Sequence, residues 1–313
     1  MIHGSTTVVS PLARWSSRGA LFAASLILAG VGLHRVASFP TPTAINLFAV
    51  GGAVAALSVL LGLVSLIGIW RRGYRGAGSA ALGILLPLAV AAWPLTFLPA
   101  FLHLPKINDV STDVAAPPQF ATLAKARPAD ANPASYPGTR VAAEQQTAYP
   151  DLRTFVVDRP PEETFELVEE TVRKLKWKVA STEPPTSKPA RTGTIEATDL
   201  TPVIGFTDDI SIRVEGVGGR TRVDVRSASR YGRADLGQNA QRVRRFLAEL
   251  QVQADSTAPT GIASGMRSLR AARARSLVKK VKERDQQKAE SRNKRGRDQS
   301  SAQRARGQRE SLR

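Results

Sequence analysis

Three long, uncharged, apolar runs in the first third of the chain limit what its 313 residues can fold into more than any other feature. Gly19 to Leu33 carries no charge and continues past His34 and Arg35 to Ala37, while residues 45–70 and 76–102 are uncharged throughout, the last interrupted by Pro87, Pro94 and Pro99. Each run is about the length a helix needs to cross the hydrocarbon core of a bilayer, roughly 20 residues. A soluble core helix would show one polar face at helical periodicity, and none of the three does. Membrane spans are therefore expected at 19–37, 45–70 and 76–102, inside an anchor covering residues 1–104. The first run also fits a cleaved signal peptide ending at Val36-Ala37-Ser38, but the two later runs anchor the chain either way.

Orientation follows from where Lys and Arg sit around the spans, because the cytoplasmic side retains them. Arg14 and Arg18 precede the first span and Arg71, Arg72 and Arg75 join the second to the third, whereas the opposite flanks hold only Arg35 and Lys106. This predicts a multi-pass protein of the inner (plasma) membrane with a cytoplasmic N-terminus and everything after Leu104 periplasmic or otherwise extracytoplasmic. Trp15 and Trp70 against Trp93, Phe97 and Phe101 suit the two aromatic belts. Small residues such as Gly52 and Ala56 suit close helix packing.

Charge is segregated along the chain. Of a net +18, the stretch Arg267–Arg313 supplies +12, from 17 Lys or Arg against 5 acids. The tail, residues 255–313, reads as a disordered or helical basic segment of low complexity. Membrane lipids are the first expected partners, and anionic headgroups or envelope polymers are the partners such a tail attracts. Nucleic acid enters only if the tail is cytoplasmic, and then without base stacking, since the tail has no aromatic residue.

The absence of cysteine excludes disulfides, thiolate metal sites and cysteine nucleophiles. All three histidines, His3, His34 and His103, lie in the hydrophobic third, so a Ser-His triad or imidazole metal site is excluded downstream. No catalytic residue, metal or cofactor is expected.

Residues 105–148, rich in Pro and Ala, read as an extended, semi-stiff linker holding the downstream domain away from the bilayer. That domain is expected to be α+β and to cover 149–254. Thr154 to Asp158 reads as a strand, and Pro160-Pro161-Glu162-Glu163 as a first helical turn leading to a core stripe of Phe165, Val168, Val172 and Leu175. Trp177 to Ser181 and Gly193 to Asp199 read as further strands. Asp209 to Glu215 and Arg220 to Ser229 alternate around Gly216-Val217-Gly218-Gly219 as a hairpin. A symmetric turn would set Ile210 opposite Val225, Ile212 opposite Val223 and Asp209 opposite Arg226. It would also bring Arg213 diagonally to Asp224. Asp235 is expected to cap a last helix with Gln238 at the capping-box position and a stripe of Leu236, Ala240, Val243, Leu247 and Leu250. The sum is a membrane protein of three transmembrane α-helices plus a small α+β domain, an antiparallel sheet with two helices in a helix-grip-like layout.

The run Phe206-Thr207-Asp208-Asp209-Ile210-Ser211-Ile212-Arg213, with Val223-Asp224-Val225-Arg226-Ser227, Ser229-Arg230 and Gly232 to Ala240, resembles the bacterial and plastid family catalogued as domain of unknown function 1499. The resemblance covers about residues 149–252, with Ser211 where an aliphatic residue is expected. It implies membrane-attached or envelope relatives and no assigned activity.

Asp209, Arg213, Asp224 and Arg226 are read as structural ion pairs, and Asp208 and Asp209, being adjacent on a strand, point to opposite faces and cannot flank one atom. Arg226, Arg230, Asp235 and Asn239 are the candidate anion-binding set, near the end of the last strand and the start of the last helix. The expected function is that of an uncharacterised membrane-anchored binding or assembly module of the cell envelope. The alternatives are a hydrolase-like enzyme using carboxylates alone, or a nucleic-acid- or ribosome-contacting protein if the topology is inverted. A deep polar groove would favour the enzyme, a closed ion-pair cluster the binding module.

Overall fold

The computed structural model describes residues 8–185, 192–217 and 219–257. Three helices long and apolar enough to cross a membrane open it: α1 (Pro11–Ala37), α2 (Thr41–Arg72) and α3 (Ala77–Leu95). Ser10 caps α1 by accepting from the Ala13 N–H, and left-handed Ser38 ends it. The third apolar run does not continue to residue 102. Its helix ends at Leu95 and a separate short helix, α4 (Leu98–His103), comes after it. Pro99 lacks the N–H that an unbroken ladder needs there, and Pro94 interrupts the same ladder one turn earlier.

All three long helices pack on one another. The seam is made by Gly30, Gly51, Gly62 and Gly83, where a β-carbon would meet side chains of the neighbouring helix. At Gly83 it would lie 1.8 Å from Ser16 Oγ. Gly52, expected at the seam, faces open space and Ala56 is exposed, so the packed stripe is offset by one residue. Ser16 Oγ donates to the Ser58 carbonyl at 2.7 Å, and the Ser10 and Ser65 hydroxyls lie 3.0 Å apart.

Beyond the anchor stands a six-stranded antiparallel sheet in the order β1-β6-β5-β4-β3, with β2 pairing along the same edge of β6 as β1. Its strands are β1 (Asp109–Ser111), β2 (Phe155–Val157), β3 (Lys178–Glu183), β4 (Thr192–Leu200), β5 (Thr207–Val217) and β6 (Arg220–Ser229). Helices α7 (Pro161–Lys174) and α8 (Gln238–Ser256) lie on one face. Between them and the sheet lies the core: Phe165, Val168 and Val172 from α7, Val243, Phe246 and Leu250 from α8, and Ile195, Ile210, Ile212, Val223 and Val225 from the strands. Trp177 stacks on Phe246 at 5.5 Å.

The structure corrects three further expectations. Residues 105–148 are not a tether: they contribute β1, α5 (Thr122–Ala126) and α6 (Thr139–Ala148), and bury Ile107, Val110, Phe120, Leu123 and Val141. The hairpin register is displaced by two residues. Val217 pairs with Arg220, so a two-residue turn replaces the four-residue one, and Ile210 faces Ser227, Ile212 faces Val225 and Arg213 faces Asp224. A shift of two keeps every side chain on its face but changes every partner. Gln238 is not at a capping-box position: it is the first residue of α8, and left-handed Leu236 precedes the helix. The expected basic tail lies outside the described residues from 258 onward.

Candidate functional site

Most charged residues of β4, β5 and β6, Glu196, Asp209, Arg213, Asp224 and Arg226 among them, fall on the sheet face away from α7 and α8, because side chains alternate along a strand. Such a face in an antiparallel sheet is ordinarily wet. Here residues 112–136 lie across it and close it. Phe120 and Leu123 of that segment pack on Ala228, and Glu196 of β4 accepts hydrogen bonds from the backbone N–H groups of Ala121, Thr122 and Leu123 at 2.7, 3.0 and 2.7 Å. A carboxylate on a distant strand thus receives the free N–H groups that open α5.

Under this cover the acids and arginines find one another. Arg226 is wholly buried and grips Asp109 through Nε and Nη2, donates to the carbonyls of Pro118 and Ala134, and lies over the Phe120 and Tyr136 rings. Asp209 accepts from Arg127 Nε at 2.7 Å and from Arg230 Nε at 2.9 Å. Arg213 bridges Asp224 and Asp113, each at 2.9 Å. Burial pushes the Asp109 carboxyl above its ordinary range against the pull of Arg226, and pushes the Tyr136 phenol up to about 12, aided by the Asp109 charge. Although burial raises it, Asp113 lies below the ordinary carboxylate range because the Ala116 and Ala115 N–H groups and Arg213 outweigh that effect. Ser211 is buried, and its hydroxyl donates to the Gln119 carbonyl, which explains a hydroxyl at a position where an aliphatic residue was expected.

A second polar cluster, missed at the level of sequence, lies on the helix side. Arg242 of α8 joins Asp199 at 2.8 Å and Asp208 at 2.7 Å, which are direct cross-strand neighbours. Arg242 also donates to Asn239 Oδ1, which accepts from Ser227 Oγ as well. Burial raises the Asp208 carboxyl despite Arg242, and raises Asp235 despite the N–H groups of Asn239 and Gly237 that it accepts. The signal available was Arg242 among the buried positions of an amphipathic helix, where a cation needs an acid.

The four candidate anion-binding residues are therefore not brought together. Arg226 and Arg230 belong to the covered face, and Asp235 and Asn239 to the helix face. Of the four expected structural ion-pair residues, Arg213 and Asp224 pair with each other. Asp209 and Arg226 are both paired, but with Arg127, Arg230 and Asp109 instead of with each other. Two recesses lie in the domain, one of them beside these clusters. One of ≈ 170 Å³ beside the covered face is lined by Asn108, Asp109, Arg127, Asn132 and Ser135, and one of ≈ 380 Å³ lies between α7 and β3 by Trp177, Arg173 and Lys176. Among the described residues no group of three or more His, Asp or Glu is placed to hold a metal ion.

Fold and site together define a membrane-anchored α+β domain whose charged sheet face is sealed by the segment that leaves the anchor. Residues 109–250 match the model of the family described as "Protein of unknown function (DUF1499)", bearing out the resemblance carried by the strand and helix motifs and extending it across the covering segment. No curated protein matches the chain. Among solved structures, the crystal structure of the vertebrate conserved region of human METTL16 is similar at 13% identity, over 31% of this chain and 94% of that one, with a TM-score of 0.23.

Proposed function

We propose that this chain is a binding or assembly module of the cell envelope, its α+β domain displayed on the non-cytoplasmic side of the membrane. The observation that supports a module over an enzyme is the closure of the ion-pair layer. Asp109, Asp209 and Asp224 are each engaged by arginine and buried, so they hold the fold together and present nothing to a substrate. What the domain offers a partner is its outer surface. The display side rests on Arg14, Arg18, Arg71, Arg72 and Arg75 flanking one side of the spans against Arg35 and Lys106 on the other.

The test is sidedness. Tags inserted after Arg75 and at Thr257 are compared for protease accessibility in cells whose outer layers are permeabilised. Cleavage at Thr257 alone is the expected result. Cleavage after Arg75 alone overturns the display and makes a cytoplasmic partner, including nucleic acid or the ribosome, the reading to pursue.

One observation favours the hydrolase-like alternative: Asp199 and Asp208 are paired across strands, with the Asp208 carboxyl raised. Asp208 is 2% exposed and Arg242 sits on both carboxylates, which is how a structural bridge is built. Turnover of simple carboxyl or phosphate esters by the purified chain, abolished in Asp208→Asn with the fold intact, would reverse this preference.

A further inference from the structure

The end of α1 touches the α+β domain. Arg35, two residues before the helix ends, donates from Nη1 to the Thr201 carbonyl at 2.9 Å, and the His34 ring lies 5.4 Å from that of Phe206. Gly205, with φ +85°, sits so close to Arg35 that a β-carbon there would lie 3.0 Å from Arg35 Cδ. Residues 201–206, the loop joining β4 to β5, are thus held at the end of a membrane span. A charged residue at a span's end marks the headgroup level, where long cationic side chains settle. The loop must then lie at that level too.

Its composition fits that place. Leu200, the last residue of β4, and Val203 of the loop are each about half exposed, at 49% and 48%, as at the end of α1 are Val36 at 85% and, just after it, Phe39 at 40%. These side chains would face water on a domain held away from the bilayer. The cations are also at this end: β3 begins with exposed Lys178 opposite Thr198, two residues from Leu200, and exposed Lys176 precedes it. We infer that the β4–β5 loop is a lipid-contacting element, its aliphatic residues seated in the interfacial layer of the bilayer that holds α1–α3, with Lys176 and Lys178 toward anionic headgroups. The contact is the same on whichever side the domain is displayed. Strand length sets the contrast. β5 runs eleven residues from this loop to the β5–β6 turn, so the two ends of the strand lie about 35 Å apart.

The chain has no cysteine, so single-cysteine labelling needs no background removal. Val203→Cys and Arg220→Cys, each carrying an environment-sensitive fluorophore, are reconstituted as full chains into vesicles with and without anionic lipid, some lipids bearing a nitroxide near the headgroup. At 203 the expected result is blue-shifted emission and quenching by lipid nitroxide several-fold stronger than at 220. Lys176→Glu with Lys178→Glu should lower that quenching in anionic vesicles only. A label at 203 that emits as in water and yields to aqueous iodide as readily as the one at 220 overturns the inference. So does a shifted emission that ignores lipid nitroxide and fades as protein is diluted in the bilayer, which would make a second copy the occupant. Leu200→Cys supplies the same reading should Val203→Cys fail to reconstitute.

Discussion

Arg226 is the residue on which the covered face depends most. Its guanidinium holds the Asp109 carboxylate and two backbone carbonyls with no exposure of its own. Removing one partner of a buried pair strands the other, at a cost of about 3–5 kcal/mol. Arg226→Met should lower the thermal midpoint of the detergent-solubilised chain accordingly, and adding Asp109→Leu should restore much of the loss. Additive losses in that double-mutant cycle would show that the two residues act separately. Asp113 makes a pH-dependent contribution. Its carboxyl pKa is lower in the folded chain than in the unfolded one, so its stabilisation is complete above the ordinary carboxylate pKa, roughly 4, and is lost as pH falls through the folded value. Asp113→Asn should cost about 1 kcal/mol at neutral pH, and the gap from wild type should close on acidification. A gap that stays constant down to strongly acidic pH would assign the effect to shape instead of charge.

At the scale of elements, periodic segments were legible in the sequence and the covering segment was not. Helix α7 and the strands β4, β5 and β6 were all read because apolar residues recur at their own local period. Residues 105–136 have no such period. Their order comes from across the chain, from Glu196 on the α5 N–H groups and from Asp209 on Arg127, partners more than 70 residues away. For the same reason Arg226 was matched with Asp209, the acid that a symmetric hairpin sets opposite it, while its actual partner Asp109 lay in a segment without a period. The hairpin's faces were legible and its partners were not, since glycines permit turns of either length. Glu196→Gln weakens the hold on α5 while keeping an oxygen to accept. Limited proteolysis within 112–136 should become faster by several-fold, whereas cleavage in α8 should not change. Equal acceleration at both would mean global destabilisation.

For the molecule as a whole, the boundary between anchor and domain lies at the end of α4, not near residue 149. A fragment of residues 149–257 would expose Arg226, Asp209 and Asp224 on an uncovered sheet, whereas one of residues 105–257 keeps their cover. The shorter fragment should remain without a cooperative unfolding transition by circular dichroism and the longer should show one. A cooperative transition in both would show that the covering segment is dispensable for folding. The same boundary explains the contacts at the membrane end, since a domain that begins where α4 stops has no slack with which to stand off.

The pairing of β1 with β6 also has a consequence in time. Asp109 and Arg226 are 117 residues apart, so the first strand to be synthesised waits for the last of the six before it can pair. At ribosomal speeds that is roughly ten seconds. The long sequence separation slows closure further. The piece nearest the membrane is therefore fastened late, by the strand that emerges furthest behind it.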